Sequence, residues 1–575
     1  MTSALELEHS HREDAIQRSL EAHTPRIEQL MEIGNTPGVS IAVLCNNKLV
    51  LERGYGLVNL RTNTKATAST IYPIASITKT FTAAACGILV AEGKLSWEEP
   101  ISTYLHDLNI PEHPDIERHA TIVDILSHRT GLQEQSSVFE SPNGMPLFKD
   151  ALSTYHALNL MSSEPGSFRQ TWSYCPPLYA LLTIVIERVS GLPLSEFFQK
   201  KIFEPLGMAS TSIVGMAPDI EPTHLAQGYT RTSAGLWLDR DGTSSGYQFP
   251  FDTSMGVQSS VSDMMKWAKA VIKNFNISMQ LPGDSNSQED ADFPEGSAIF
   301  KQWCKLPLNE GGFPSYCLGW FRQEGYFIFD DMFDGDGQAD SLEWPCTFPM
   351  PHKDQKPETI LYHSGLGHGF SSSMHVFPNK GDAVIVHGNS SHAGDAVDCI
   401  SRLVTAIVCG YDLSTSELMS NLRFYTDLEV GRWKQMDKEL RREQESQSRC
   451  KRIPEASEIV GRYVNISSTL EMTISSGGKG NPEETSGPSA EPFIGAKLKL
   501  GSETQLGLDL WSFSDATLCF FPNEVDYQRW CMSYLGSWPQ FLIHLSYDDI
   551  TGSVSGFWWQ FDPARDGIWL QRMDS

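Results

Sequence analysis

The chain has 575 residues, 40% of them hydrophobic and 20% charged, the make-up of an ordinary globular protein with room for several domains. Forty-four basic residues against 71 acidic ones leave a formal charge of −27, which repels phosphate backbones and anionic lipid and so excludes nucleic-acid and electrostatic membrane partners. No glycine-rich phosphate loop, no H-E-x-x-H and no run of membrane-spanning length occur, so neither a nucleotide cofactor nor a metal nor a membrane span is expected.

Residues 1–12 are charged and lack an apolar core, which argues against a secretory leader and for a cytoplasmic location. Eleven cysteines, an odd number without C-x-x-C pairs, are expected to be reduced thiols. Spaced Ile16, Leu20, Ile27, Leu30 and Met31 predict an amphipathic helix over 12–33. Two extended runs, 38–45 and 48–55, flank Asn46-Asn47 and predict a hairpin. Residues 72–93 carry apolar side chains at Ile77, Phe81, Ala84, Ala85, Ile88, Leu89 and Ala91, the spacing of one buried helical face, with Gly93 as its C′ residue. A short element follows at 101–105, then a short helix over 121–131 that ends at Gly131. A buried helix ending at Gly191 is preceded by a loop holding Tyr174, Pro176 and Pro177. Ser262 is expected to cap the next helix, and 281–296 has the composition of a mobile insertion. Strands are expected at 359–365, 370–377 and 383–387, then a helix at 393–408. A polar stretch from 432 reads as an inter-domain helix or linker. Beyond Pro454, short β runs at 496–500, 518–521, 541–545 and 556–561 alternate with turns and surround a flexible loop at 477–492.

These elements predict an α/β (α+β) protein: an antiparallel sheet flanked by helices with a helix-rich subdomain, followed by an all-β barrel-like domain. The boundaries read as an N-terminal helical extension (1–33), a mixed body (34–430), a linker (431–455) and a β-rich C-terminal domain (456–575).

The stretch that carries chemistry is Ser76-Ile-Thr-Lys79. Serine is a poor nucleophile until a base takes its proton; a desolvated lysine one helical turn away can serve, and a helix N-terminus offers N–H groups to a developing oxyanion. The same S-x-x-K pattern recurs at Ser448 and Ser476, but neither opens an apolar helix. Context distinguishes Ser76, because Leu126-Ser-His-Arg-Thr-Gly131, Tyr174 before an apolar helix, and His363-Ser-Gly365 follow it in order.

This set resembles the serine β-lactamase and penicillin-binding-protein superfamily, in its class C-like branch of esterases, D-aminopeptidases and acyltransferases, over roughly residues 34 to 412. The C-terminal domain resembles the lipocalin-like barrel appended to some members. The resemblance implies Ser76 as nucleophile, Lys79 and Tyr174 as the proton relay, and the backbone N–H groups of Ser76 and Leu366 as the oxyanion hole. It also implies His363, Gly365 and Leu366 as substrate-binding positions. Two residues depart from the pattern: Pro176 stands where an asparagine is usual, and His363 where many members carry a lysine. The first removes an amide that would orient substrate and Lys79; the second removes a permanent cation. Cys175 reads as a packed thiol, since no positive neighbour lowers its pKa.

The expected function is therefore a serine hydrolase or acyltransferase forming an acyl-Ser76 intermediate on a small ester, thioester or amide, with a small-molecule acyl substrate, an optional acyl acceptor and no cofactor. The alternatives are a non-catalytic binding or scaffolding member of the fold and a β-lactamase proper. The sequence assigns no oligomeric state.

Overall fold

A computed structural model describes residues 4–133, 151–214, 224–240, 252–279, 291–306, 315–324, 358–367, 369–390, 395–411, 413–446, 454–465, 471–476, 493–500, 508–514, 516–529, 537–559 and 567–573. The loop read at 477–492 and most of the insertion read at 281–296 lie outside them, as do Ser448 and the residues after Ser476 in the two other S-x-x-K matches.

The N-terminal region forms two helices, α1 (Ala4–Ala22) and α2 (Thr24–Ile33), rather than one. Pro25 sits in the first turn of α2, where its missing N–H costs nothing, and so sets the break. Arg12 of α1 ion-pairs with the buried Asp382 and donates to Val408 O, which fastens α1 to the sheet. The expected hairpin is present as β1 (Gly38–Cys45) and β2 (Lys48–Asn59), with Asn46 and Asn47 at φ 51° and 61°, the left-handed geometry that asparagine tolerates in such turns. The helix α3 (Thr78–Ala91) follows, and Gly93 at φ 69° lies just past its end as expected. The segment read as a helix over 121–131 is one short helix, Ile122–Leu126, closed by a capping box between Thr121 and Asp124.

Helix α4 spans Val261–Met279. Ser260, not Ser262, accepts from its first turn, at Asp263 N (3.2 Å). Ser262 instead donates to Glu52 and to Ala68 O (3.1 Å).

Strands β3 (Thr359–Gly367), β4 (Phe370–Phe377) and β5 (Asp382–Gly388) form an antiparallel meander. Strand β5 pairs with β1, with Val39 opposite Gly388, so segments from the two ends of the body close a nine-stranded antiparallel sheet. One face is covered by α2 and by α5 (Ala396–Cys409), which packs Ile400, Leu403 and Val404 against β1 and β5. On the other face α4 lies on Ala42, Met374, Val376 and Ile385. An apolar layer thus lies against each face of the sheet, and α3, buried along most of its length, belongs to the second.

Helix α6 runs unbroken from Thr415 to Ser446. The linker expected from 431 is therefore the second half of a helix, and it is held by the barrel. Trp433 stacks on Phe521 at 5.9 Å and donates to Pro522 O (3.0 Å), while Met436 and Leu440 are buried. The C-terminal domain is an eight-stranded antiparallel barrel, closed where Gly461–Val464 pairs with Ile568–Met573. Its interior holds Tyr463, Leu498, Phe520, Ile543, Phe557 and Leu570. The barrel's short helix Glu524–Arg529 docks on the hairpin Gly228–Arg231/Trp237–Arg240 through Ser233 N to Glu524 (2.6 Å) and Thr230 to Gln528 (3.3 Å).

Candidate active site

Ser76 lies in a single 3₁₀ turn, Ala75–Ile77, that leads directly into α3. Ala75 before it holds φ 45°, a left-handed backbone that a residue with a Cβ adopts only under constraint, and one that recurs at functional turns. The turn is pinned on both sides. Ile74 N donates to Val257 O (3.0 Å), and Ile74 O accepts from Ser372 Oγ (2.8 Å).

Lys79 comes from the first turn of α3, one turn beyond Ser76 and on the same face. Its Nζ donates to Ser76 Oγ at 2.9 Å and to Ser254 O at 3.1 Å. Ser76 is 3% exposed and Lys79 is fully buried. The ammonium lies 4.9 Å from the Tyr174 ring centre and 5.3 Å from that of Tyr179, within reach of both π faces. The amide lost at Pro176 is thus not what orients Lys79. The carbonyl of Ser254, at the end of the short helix Asp252–Met255, takes that place.

Strand β3 forms the opposite wall. A Cβ on Gly365 would stand 2.1 Å from Ile74 O and 2.4 Å from Ser372 Oγ, so only glycine lets β3 approach the Ser76 turn this closely. Leu366 follows on the same strand, opposite Ser371. His363, two residues earlier, is 1% exposed, and its ring lies 6.2 Å from that of Tyr174. The fold thus assembles Ser76, Lys79, Tyr174, His363 and Gly365 around one point, with Leu366 beside them.

Three residues the sequence did not single out complete the surroundings. His128, at φ 56°, is buried among the rings of Tyr174, Tyr179 and Tyr316 at 4.4, 5.1 and 5.0 Å. Its Nδ1 accepts from Cys175 N (3.0 Å), so the neutral ring carries its proton on Nε2, which has no hydrogen-bond partner among the described residues. Burial, then the charge of Lys79, holds its pKa well below the usual histidine value. Tyr179 donates to Leu126 O (2.8 Å), and Tyr316 meets His363 Nε2 at 3.1 Å. Burial pushes both phenols well above their usual pKa, so both stay protonated donors. Cys175 is buried under this cluster, as read.

The loops bearing His128 and Tyr174 are braced by Asp124. Its carboxylate, fully buried, accepts from Thr121 N (2.9 Å), Arg129 Nε (2.7 Å) and Arg169 Nη2 (2.7 Å). Burial pushes this carboxyl up, but Arg169, the Thr121 N–H and the field of Arg129 outweigh it and hold it below the ordinary value. Arg169 N to Arg129 O (2.8 Å) and Ser173 N to His128 O (3.0 Å) then zip the two loops together.

Among the described residues no group of three His, Cys, Asp or Glu side chains could hold a metal ion. The groups present suit proton transfer and nucleophilic attack.

The chain is 26% identical over 385 residues to an unguisins hydrolase from Aspergillus campestris, a match covering 64% of this chain and 61% of that protein. It is 25% identical over 239 residues to a D-aminopeptidase from Brucella anthropi, covering 41% of this chain and 42% of the other. The chain thus spans less than two thirds of the length of either relative. A solved structure, the octameric penicillin-binding protein homologue from Pyrococcus abyssi, shares its fold with a TM-score of 0.52 at 18% identity, over 96% of this chain and 100% of that one. The family profile described as Beta-lactamase matches residues 24–405, a span that contains the Ser76 turn, the Tyr174 loop and β3 together, and the chain belongs to that family.

Proposed function

We propose that the protein is a serine hydrolase that works through an acyl-Ser76 intermediate on a small ester, thioester or amide. The observation that carries this reading is the 2.9 Å contact between Lys79 Nζ and Ser76 Oγ, both buried, beside Tyr174 and β3. In this reading Ser76 Oγ attacks the substrate carbonyl carbon as its proton passes into the relay formed by Lys79 and Tyr174. The tetrahedral oxyanion is met by the N–H groups of Ser76 and Leu366. The bond to the leaving group then breaks, and the leaving atom takes the proton held by the relay. Water adds to the acyl-Ser76 carbonyl by the same route in reverse, releasing the free acid and restoring the serine.

The relatives named as a hydrolase and an aminopeptidase support water rather than a second metabolite as the acceptor. Intact-protein mass spectrometry after treatment with a fluorophosphonate tests the reading. One adduct mapped to Ser76, absent in Ser76→Ala, is the expected result. No adduct at Ser76 overturns it in favour of a non-catalytic member of the fold, and ester turnover that survives Ser76→Ala overturns it in favour of another nucleophile.

A further inference from the structure

Three basic side chains are more than nine-tenths buried among the described residues, Lys79, Arg402 and Arg240. Two of them have acceptors. Lys79 holds Ser76 and Ser254 O, and Arg402 pairs with Asp398 at 2.6 Å. Arg240 is 3% exposed, yet its Nε and Nη1 make no hydrogen bond and no ion pair with any described residue. A guanidinium keeps its charge inside a protein, and a buried charge left without an acceptor is strongly unfavourable. An anion belongs beside it.

The hairpin that carries Arg240 sets the surroundings. Arg240 pairs with Gly228 and Leu238 with Thr230, so the alternation of a strand places Arg240, Leu238 and Thr230 on one face. The acidic residue between them, Asp239, falls on the other face and pairs with Arg61. The Arg240 face meets the barrel. Thr230 Oγ1 donates to Gln528 Oε1 (3.3 Å), while Gln528 Nε2, on a residue only 3% exposed, has no partner among the described residues. Thr230 and Arg240 are diagonal neighbours across the hairpin, about 7–8 Å apart, a gap that long side chains span. Two buried groups with hydrogens to give thus stand close together where the barrel docks on the body, and among the described residues neither set of hydrogens has an acceptor.

This corner also touches the end of β3. A Cβ on Gly369, at φ 82°, would stand 3.1 Å from Arg240 Cβ and 3.1 Å from Gly228 Cα, so glycine lets the hairpin close on the turn between β3 and β4. Leu366 lies three residues before Gly369, whereas His363 is about 13 Å back along β3 from its last residue.

We propose that Arg240 and Gln528 form an oxyanion-binding site at the junction of body and barrel, which takes a carboxylate or phosphate group. An anion there accepts from both side chains and joins the two domains. The group comes either from a free ion or from the far end of a substrate whose carbonyl lies at Ser76, and only the second source rests on acylation at Ser76.

Thermal melts of the full chain with phosphate or acetate, at an ionic strength held constant with chloride, test the site. A saturable rise in Tm of about 2 °C is expected. Arg240→Met, unbranched and neutral, should melt no lower than the wild type in chloride and gain nothing from either ion. Gln528→Glu, which supplies an internal carboxylate, should melt higher than the wild type and also lose the response. The source is read from two fluorophosphonates with the same chain, ending in a carboxylate or in its methyl ester. If the substrate brings the group, the carboxylate probe labels Ser76 about tenfold faster than the ester in the wild type and no faster in Arg240→Met. Equal labelling with the Tm response present assigns the site to a free ion. Equal labelling with no Tm response in the wild type overturns the proposal, as do responses that persist unchanged in Arg240→Met. Labelling by neither probe with the Tm response intact overturns the reading of Ser76 and leaves the anion site standing.

Discussion

Lys79 Nζ sits 2.9 Å from Ser76 Oγ and is held from its other side by Ser254 O at 3.1 Å, so a backbone carbonyl helps set the distance between nucleophile and base. A base fixed by a carbonyl is insensitive to the loss of the asparagine that Pro176 replaces. Lys79→Ala should lower the rate of Ser76 acylation about 10²- to 10⁴-fold, the usual contribution of a positioned base. Single-turnover labelling kinetics measure it. A variant that retains the wild-type rate would remove Lys79 from the relay.

Gly365→Ala should damage both stability and activity. The new Cβ would meet the Ile74 carbonyl at 2.1 Å, and a backbone pinned by Val257 and Ser372 has nowhere to go. Overpacking of this kind costs about 1–3 kcal/mol. Denaturant melts should show that loss, with Ser76 labelling slowed at least about tenfold as β3 moves away from the turn. Unchanged labelling would show that β3 does not shape the pocket.

The buried brace at Asp124 has a defined pH dependence. Its carboxyl is held below the ordinary value, so its stabilisation is present above about pH 4 and is lost as pH falls through the folded-state value. Asp124→Asn leaves two arginines without their carboxylate. Because both are partly exposed, the cost should be about 3 kcal/mol at pH 7, at the low end for a broken buried pair. Urea melts of wild type and variant should differ most at neutral pH and converge toward pH 3.

His387 also costs stability on acidification, but through a proton that the folded chain refuses rather than one that breaks an ion pair. It is fully buried, stacked on Tyr72 at 5.8 Å, and neither ring nitrogen has a hydrogen-bond partner among the described residues. Burial pushes its pKa down to about 3, so between there and about 6.5 the unfolded chain takes up a proton that the folded one refuses. Stability contributed in this way is complete above pH 6.5 and falls as the solution is acidified, by about 1.4 kcal/mol per pH unit. His387→Phe keeps the stack and removes the proton. The variant should match or exceed the wild type at pH 7 and lose stability less steeply from pH 6 to 4, as calorimetry at several pH values can show.

What the sequence made legible is what side chains write. Ser76 and Lys79 are readable because a helix turn and two side chains carry the chemistry, and the Asn46-Asn47 hairpin because only a few residues accept a left-handed turn. Ser254 was invisible, since it acts through its carbonyl and any residue there supplies one. Ser260 and Ser262 are equally good caps by residue type, and only the strand leading into α4 decides which hydroxyl faces the first turn. The polar surface of α6 left helix and linker both open from 432. Trp433, Met436 and Leu440 do fall at the i, i+3, i+7 spacing of one helical face, but three apolar residues in so polar a run name no partner until the barrel is in place. Tyr316 and His128 needed the tertiary fold, because nothing local says that two rings far apart in the chain will enclose a third.

The pairing of β1 with β5 also governs how the chain is made. Val39 finds Gly388 only after about 350 further residues have left the ribosome, a wait of roughly 20–70 s at 5–20 residues per second. All eight residues of β1 are buried in the finished protein, so until then the first hairpin presents an apolar, unpaired edge. Nascent chains halted before residue 388 should therefore bind holdase chaperones, and those that have emerged past it should not.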